Sequence, residues 1–453
     1  MKIVGIFVGF LFMLLVLGLS AQEQPQTTQG PWTLKQCIDY AVEHNINVRQ
    51  RILEKQDQEL NLHTSRYSRL PNLNANLGQD FYFGRGPGRD GVYQDQTQST
   101  SSFTVGTSVP VFSGLRINNK IKANELNLQA SIEELNRAKE DLALNITSYF
   151  LQVLFNKELL TIAKEQVLLS QEQLKNTEIL VRSGKNPESD LYDAKALLAR
   201  EEVSLTEAAN ALQLSLLDLS QLLNLEHLEG FDIAMPDMDG MVTDESINLM
   251  KPEAVFTQSV QNRPSVKAAE LRLQSSERSL KIAKADYYPT LSLGASYSNG
   301  YYHTYNLPDG MRNTSFSKQL DQNGSESVGL TLSIPIFSRM VTRNQVKSAR
   351  VSMENQQLLL DNMRQNLYKE IQQAYYNAVA ARDKYFASEK AVEASRLAFK
   401  YEEQKYKAGR STSYQFDDAK TRLTKSLSES AQAKYDFVFR SKILGFYNGK
   451  TLE

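Results

Sequence analysis

The sequence is poor in the residues that carry most enzymatic chemistry. It has one cysteine, Cys37, in 453 residues, so no disulfide can form within the chain. Cys37 falls in the first helical segment and reads as a small buried residue rather than a reactive thiol. The four histidines (His44, His63, His227 and His303) share no metal-ligand spacing, and His-Glu-x-x-His is absent. Neither a Gly-x-Ser-x-Gly elbow nor a P-loop occurs. The Gly84–Gly91 segment, with Arg85, Arg89 and Asp90, follows a strand but opens no helix, so it reads as a surface loop and not a phosphate site. The expectation is a protein that is not an enzyme, with no catalytic residue, no metal and no cofactor.

An excess of either charge is lacking too. Lys+Arg number 51 against Asp+Glu 52, which excludes a bulk electrostatic affinity for nucleic acid. Apolar runs long enough to form a helical membrane span are missing after residue 20. Before it, Lys2, an apolar stretch from Ile3 to Leu19 and small residues (Gly18, Ser20, Ala21) have the layout of a secretory signal peptide over residues 1–21. No cysteine stands directly after that stretch, where a lipid would be attached.

What the chain does contain is a copy of itself. Val181-Arg-Ser-Gly-Lys-Asn-Pro-Glu-Ser-Asp-Leu-Tyr-Asp-Ala-Lys195 aligns with Tyr406-Lys-Ala-Gly-Arg-Ser-Thr-Ser-Tyr-Gln-Phe-Asp-Asp-Ala-Lys420 at an offset of 225 residues. The same offset pairs Val109-Pro-Val-Phe112 with Ile334-Pro-Ile-Phe337. Leu70-Pro71 matches Tyr288-Pro289 at 218, the difference falling in a loop between the two prolines. A period this long is a duplicated half, not a short solenoid repeat. The first repeat spans 22–223, with a helix (about 33–69), a strand pair (72–83 and 102–111), a long helix (114–183) and a returning helix (187–223). Residues 224–251 link it to the second repeat, 252–448: a helix (about 252–287), strands 290–300 and 326–336, a long helix (339–408) and a returning helix (411–448). Residues 449–453 form a tail.

No Pro or Gly interrupts 115–183 or 339–408. Ile121, Leu128, Leu135, Leu142 and Tyr149 recur every seven residues, as do Ile371, Ala378, Tyr385, Val392, Phe399 and Tyr406. That period means coiled-coil packing. Each helix is roughly 100 Å long at 1.5 Å per residue, far beyond a mean helix of about 11–12 residues. A globular core has no use for such a rod; a tube wall has.

At four places the period switches to two. Leu73, Ala75, Leu77, Phe81 and Phe83 alternate with polar or small residues, as do Phe103, Val105, Val109 and Val111. Leu291, Leu293, Ala295 and Tyr297 form the third series, and Val328, Leu330, Leu332, Ile334 and Ile336 the fourth. Each strand is long enough to cross a bilayer at a tilt, with lipid on the apolar face and water on the other. Four strands cannot close a barrel, and an open edge in lipid is not tolerated. Two chains give eight strands and a filled interior; three give twelve and a lumen. The fold class expected is mainly α with β. A trimeric 12-stranded transmembrane β-barrel, four strands per chain, continues as a long α-helical coiled-coil barrel. The alternative is a periplasmic coiled-coil structural or adaptor protein, which needs no lipid-facing band.

Taken together, these features resemble the TolC-type outer-membrane efflux proteins, over essentially the whole mature chain. The most specific pieces are Val111-Phe-Ser-Gly114 with Ile336-Phe-Ser338 and the hairpin tips around Gly184 and Gly409. The resemblance implies an outer-membrane localisation with a large periplasmic portion, a homotrimer in outer-membrane lipid, and a passive exit duct of a tripartite efflux pump or type I secretion system. A periplasmic adaptor would grip the tips at Gly184 and Gly409, and an inner-membrane transporter would supply the energy. It also implies entrance residues. Tyr406 matches a tyrosine that holds the entrance closed, Asp418 an aspartate that rings the constriction, and Asp190 an acid tied to an arginine. That arginine would fall at Ser411, and Arg410 beside it, if helical, points about 100° away. A second ring acid would fall on Gln415, which leaves Asp417 as the fallback for Asp418. Read from the residues alone, Asp190, Asp193, Asp417 and Asp418 are acids near helix starts, where the helix dipole favours them.

Overall fold

The structure, a computed structural model, describes residues 30–87, 91–225, 230–236, 249–307, 310–450 and 452. The expected signal peptide, Arg89, Asp90, His227 and much of the expected linker lie outside the described residues.

The chain begins with two helices where the sequence suggests one. Helix α1 (Leu34–His44) starts at a capping box in which Thr33 and Gln36 satisfy each other's backbone amides, and it stops at Asn45. Asn45 is extended (φ −65°, ψ 130°); its Oδ1 accepts from the Asn47 amide and its Nδ2 donates to the Leu222 carbonyl, so it restarts the chain as α2 (Ile46–Tyr67). The second half breaks at the equivalent place by a different device. Helix α5 (Pro252–Asn262) ends at Arg263, and Pro264, which has no N–H to give, opens α6 (Pro264–Ala285).

Strands β1 (Asn72–Pro87), β2 (Tyr93–Ser113), β3 (Thr290–Thr304) and β4 (Ser325–Ser333) form one antiparallel sheet in the order β1-β2-β3-β4. The first three run longer than the sequence pattern suggests, pairing far into the connecting segments from Pro87↔Tyr93 to Asn72↔Ser108. β4 is shorter and stops at Ser333, because Pro335 cannot donate to a ladder. A bulge at Pro110/Phe112 bends β2 where the sheet meets the helices. Leu73, Leu77, Phe83, Val328 and Leu330 all expose more than half of their surface, so among the described residues nothing covers the apolar face of this sheet.

A short helix unforeseen in the sequence, α7 (Phe316–Gln322), sits between β3 and β4. It explains how β3 runs past the end of β4. At Tyr302 and Thr304 the edge amide and carbonyl of β3 are each bonded by a side-chain carboxamide, Gln319 (3.0 and 2.9 Å) and Asn313 (3.0 and 2.8 Å). Asn323 serves the Gly300 carbonyl at 2.7 Å. A carboxamide has the donor and acceptor of a peptide group, so three side chains replace a missing strand and close an edge that would otherwise pair with another chain.

The long helices α3 (Arg116–Arg182) and α8 (Val341–Lys407) have 67 residues each and start from the same strained turn, Leu115 at φ 63° and Met340 at φ 66°. The glycine before α3 is forced: Gly114 has φ +59°, and a Cβ there would lie 2.7 Å from the Ala285 carbonyl oxygen. Helices α4 (Glu188–Leu223) and α9 (Ser413–Tyr447) return alongside them. Of the heptad positions, Ile121, Leu135, Leu142, Ile371, Ala378 and Phe399 are buried. The largest core lies where α1, α3, α4 and α9 meet midway along the rod, around Ile146, Val153, Leu219 and Val438. Residues 230–236 are fixed to it by Trp32, which exchanges backbone hydrogen bonds with Asp232 and Ala234, and by Lys157 on Asp232. Cys37 is fully buried there, and burial pushes its thiol up to about 12, which leaves it inert.

Candidate functional site: the entrance between the hairpin tips

Both long helices end in the same way. Gly184 (φ 72°) and Gly409 (φ 71°) each occupy the left-handed position after a helix. At the first tip the Gly184 amide donates to the Val181 carbonyl and the Lys185 amide to Leu180; at the second, Gly409 donates to Tyr406 and Arg410 to Lys405. This is a Schellman end, which needs φ > 0 and therefore favours glycine. No atom lies within 4 Å of where a Cβ would sit at either glycine, so the tips present open surface. Arg410 belongs to this turn and is not on a helix, which corrects the helical placement entertained from the sequence.

Near the tips the α8/α9 hairpin meets the α3/α4 hairpin mainly along α9 and α3. Tyr406 lies on this seam. Its ring stacks on Phe416 at 4.9 Å, and its hydroxyl is 3.3 Å from Thr177 Oγ1. One turn along, Gln173 Nε2 donates to Asp417 Oδ1 at 2.9 Å. Burial raises the Asp417 carboxyl above its usual range; the Gln173 hydrogen bond and the charges of Lys420 and Arg200 oppose that shift, and Asp193 adds to it. A cleft of ≈ 360 Å³ opens beside these residues, lined by Leu169, Gln173, Ile179, Tyr406, Lys407 and Phe416.

The other acids stand apart. Asp418 turns away from the seam and pairs with Arg422 on its own helix at 2.7 Å. Asp190 accepts from Asn186 in its own turn at 3.0 Å, and Ser411 bonds Glu402 on its own hairpin. Asp193 is exposed on the second turn of α4. Only Asp190 lies in a first helical turn; Asp417 and Asp418 are a turn further on, where the dipole has largely faded. The structure thus brings Tyr406 and Asp417 together, with Asp193 near Asp417, and leaves Asp418 and Asp190 in local pairs.

One member of the seam went unnoticed in the sequence. Lys420 is 2 % exposed, and its ammonium reaches Glu201 Oε1 at 3.2 Å, the Gln166 carbonyl at 3.3 Å and Ser170 Oγ. It fastens α9 to both α3 and α4. The signal available was its place in the repeated Asp-Ala-Lys. The first-half copy, Lys195, is exposed, so the repeat by itself does not say which lysine is buried.

An uncovered apolar sheet continued by two unbroken helical hairpins is the architecture of an outer-membrane channel with a periplasmic tunnel. The family described as "Outer membrane efflux protein" matches residues 38–225 and 255–442, and the chain belongs to that family. Its similarity to individual relatives is distant. It is 24% identical to Protein CyaE of Bordetella pertussis over 360 residues, 78% of this chain and 71% of that one. It is 24% identical to the Cation efflux system protein CusC of Escherichia coli (strain K12) over 379 residues, 78% of this chain and 74% of that one. Crystal structures of CusC share the fold, with a TM-score of 0.77 at 18% identity and 92% coverage of each chain. The protein is a channel of the outer membrane with a large periplasmic portion, and not an enzyme. Family membership also sets aside the periplasmic coiled-coil alternative.

Proposed function

We propose that three copies close one barrel of twelve strands, and that the assembly is the exit duct of a tripartite efflux pump or type I secretion system. The observation that carries this reading is the sheet itself. β1 and β4 are edge strands, their apolar face is bare, and lipid tolerates neither an open edge nor four strands alone. Three copies are the smallest ring whose barrel leaves a lumen. The tips at Gly184 and Gly409, as the farthest points from the strands, take a periplasmic adaptor, and an inner-membrane transporter supplies the energy. Asp418, with Asp417 behind it, contributes a three-fold acidic ring at the inner mouth. Tyr406 on Thr177 holds the two hairpins together there. Native mass measurement in detergent tests the core of the proposal: a trimer is expected, and a monomer or dimer refutes it.

A further inference from the structure

Asn45 and Arg263 break the first helix of each half, 218 residues apart, in the register of Leu70-Pro71 and Tyr288-Pro289. Their backbones agree, with φ −65° and ψ 130° at Asn45 against φ −66° and ψ 126° at Arg263. Their side chains do different work. Asn45 spends both ends of its carboxamide on backbone, at the Asn47 amide and the Leu222 carbonyl. In the second half the carbonyl equivalent to Leu222, at the offset of 225, is that of Tyr447, and Ser259 Oγ bonds it. Arg263 is thereby released from the task that Asn45 performs.

Its guanidinium lies over two rings, 4.0 Å from the Phe446 centroid and 4.8 Å from that of Tyr447, and its Nη1 donates to Glu140 Oε2 at 2.8 Å. Stacked in this way it cannot swing out to water. The residue is 9% exposed, and Nη2 is enclosed with no hydrogen-bond partner among the described residues. A buried charged donor without an acceptor is rare and costly. Arg263 lines a cavity of ≈ 400 Å³ between α1, α3, α5 and the end of α9. Ile38, Val42, Ala143 and Leu452 give that cavity an apolar wall. Its charged lining residues are Lys139, Arg263 and Lys450 against Glu140 alone.

We infer that this cavity is a binding site for an organic monocarboxylate, a small apolar body whose single carboxylate accepts from Arg263 Nη2. The excess of positive charge in the wall calls for an anion, and the apolar side chains call for a hydrocarbon body on it. Only one arm of the guanidinium is open, because the other holds Glu140, and the Glu140 charge repels a dianion such as phosphate more than a single carboxylate. The volume lies near the lower end for ligand pockets, which suits a body of amino-acid size. A free monocarboxylate and the apolar C-terminal residue of a peptide present the same chemistry. Either one would bridge α1 of the first half to α5 and α9 of the second, near the middle of the rod.

The test is a saturation-transfer NMR titration of the full-length channel in non-ionic detergent, with empty micelles as the blank. The probes are N-acetyl-leucine, its uncharged amide, hexanoate and the peptide acetyl-Ala-Ala-Leu, with inorganic phosphate as a competitor. N-acetyl-leucine should saturate and its amide should not, and Arg263→Gln should weaken the acid about tenfold or more. Since Arg263→Gln also removes the Glu140 pair, Ala143→Phe supplies a second variant that fills the cavity from α3 and leaves that pair in place; it should abolish saturation while native mass stays that of the parent. Hexanoate binding as tightly as N-acetyl-leucine supports the site with a free monocarboxylate as its ligand, and tighter binding of the peptide supports it with a chain terminus. Equal binding of acid and amide, full binding in Ala143→Phe, or displacement by phosphate at the concentration of the acid itself overturns the assignment. Saturation by none of the probes overturns it too, and leaves Arg263 a structural arginine only.

Discussion

The buried lysine gives the sharpest energetic prediction, because its two partners should not be equally costly to remove. Lys420 is 3% exposed at its side chain and Glu201 19%. Glu201→Gln strips the opposing charge and leaves an ammonium enclosed between α9 and α3 with only neutral oxygens bonded to it: Ser170 Oγ, the Gln166 carbonyl and the new carboxamide. Removing one partner of a buried pair costs about 3–5 kcal/mol. Partial exposure of Glu201 and the two remaining oxygens reduce that to about 2–3 kcal/mol. Lys420→Met keeps the aliphatic stem in place and leaves a carboxylate that can turn to water, for a cost of about 1 kcal/mol. Hydrogen–deuterium exchange of the assembled channel reads this locally. Amides of residues 416–427 should exchange about 30- to 150-fold faster in Glu201→Gln and about 5-fold faster in Lys420→Met, at about 1.4 kcal/mol per decade. The far end of α9, residues 436–444, packs in separate cores and serves as the unchanged reference. Equal effects, or a larger one in Lys420→Met, would refute the view that an enclosed charge governs the seam.

Other outcomes follow from the same geometry. Gly184→Val and Gly409→Val meet no atom, so each carries only the backbone cost of a left-handed β-branched residue, about 1–2 kcal/mol; membrane insertion should persist while adaptor co-purification falls, and undiminished recovery of adaptor would show that the tips are not its contact. Asp418→Asn should reduce cation preference in planar bilayers without loss of the trimer, and unchanged selectivity there and in the double variant with Asp417→Asn would leave both acids with local roles only. Asp417 has a raised carboxyl pKa, so the folded chain favours its protonated form and loses that stability as pH climbs from the ordinary carboxylate range through the raised value. Asp417→Asn should therefore match or exceed the parent in tip protection at pH 7 and lose the advantage near pH 4; the reverse order would falsify the burial argument. Gln319→Leu strips both bonds from Tyr302 and should cost about 1–3 kcal/mol, seen as faster proteolysis within residues 305–324.

Much of the architecture is legible in the sequence because it rests on local or periodic signals. Two uninterrupted 67-residue helices follow from the absence of Pro and Gly and from the seven-residue period, and their ends from Gly184 and Gly409. The four strands follow from period-two alternation, and their need for other copies from the strand count. Boundaries fare worse where a boundary depends on pairing. β1 to β3 lengthen because hydrogen-bonded partners are available, and α7 with its carboxamides appears because β3 outlasts β4. The helix break at Asn45 is a case between the two: Asn45 caps α2 through a neighbour's amide but also binds the Leu222 carbonyl, 177 residues away.

The entrance shows the same division. The resemblance singles out Tyr406, Asp418 and, as its fallback, Asp417, each at a fixed distance from a tip glycine. Alignment of the repeats gives Lys195 and Lys420 the same status. Sequence by itself determined a duplicated, exported rod with a lipid-facing band, because periodicity and chain stiffness are properties of consecutive residues. Tertiary structure alone decided that Lys420 is enclosed and Lys195 bare, and that Asp417 enters the seam while Asp418 pairs with Arg422. Burial and charge pairing depend on which helix lies opposite: α9 lies along α3 and encloses Lys420 there, while Lys195 on α4 stays exposed.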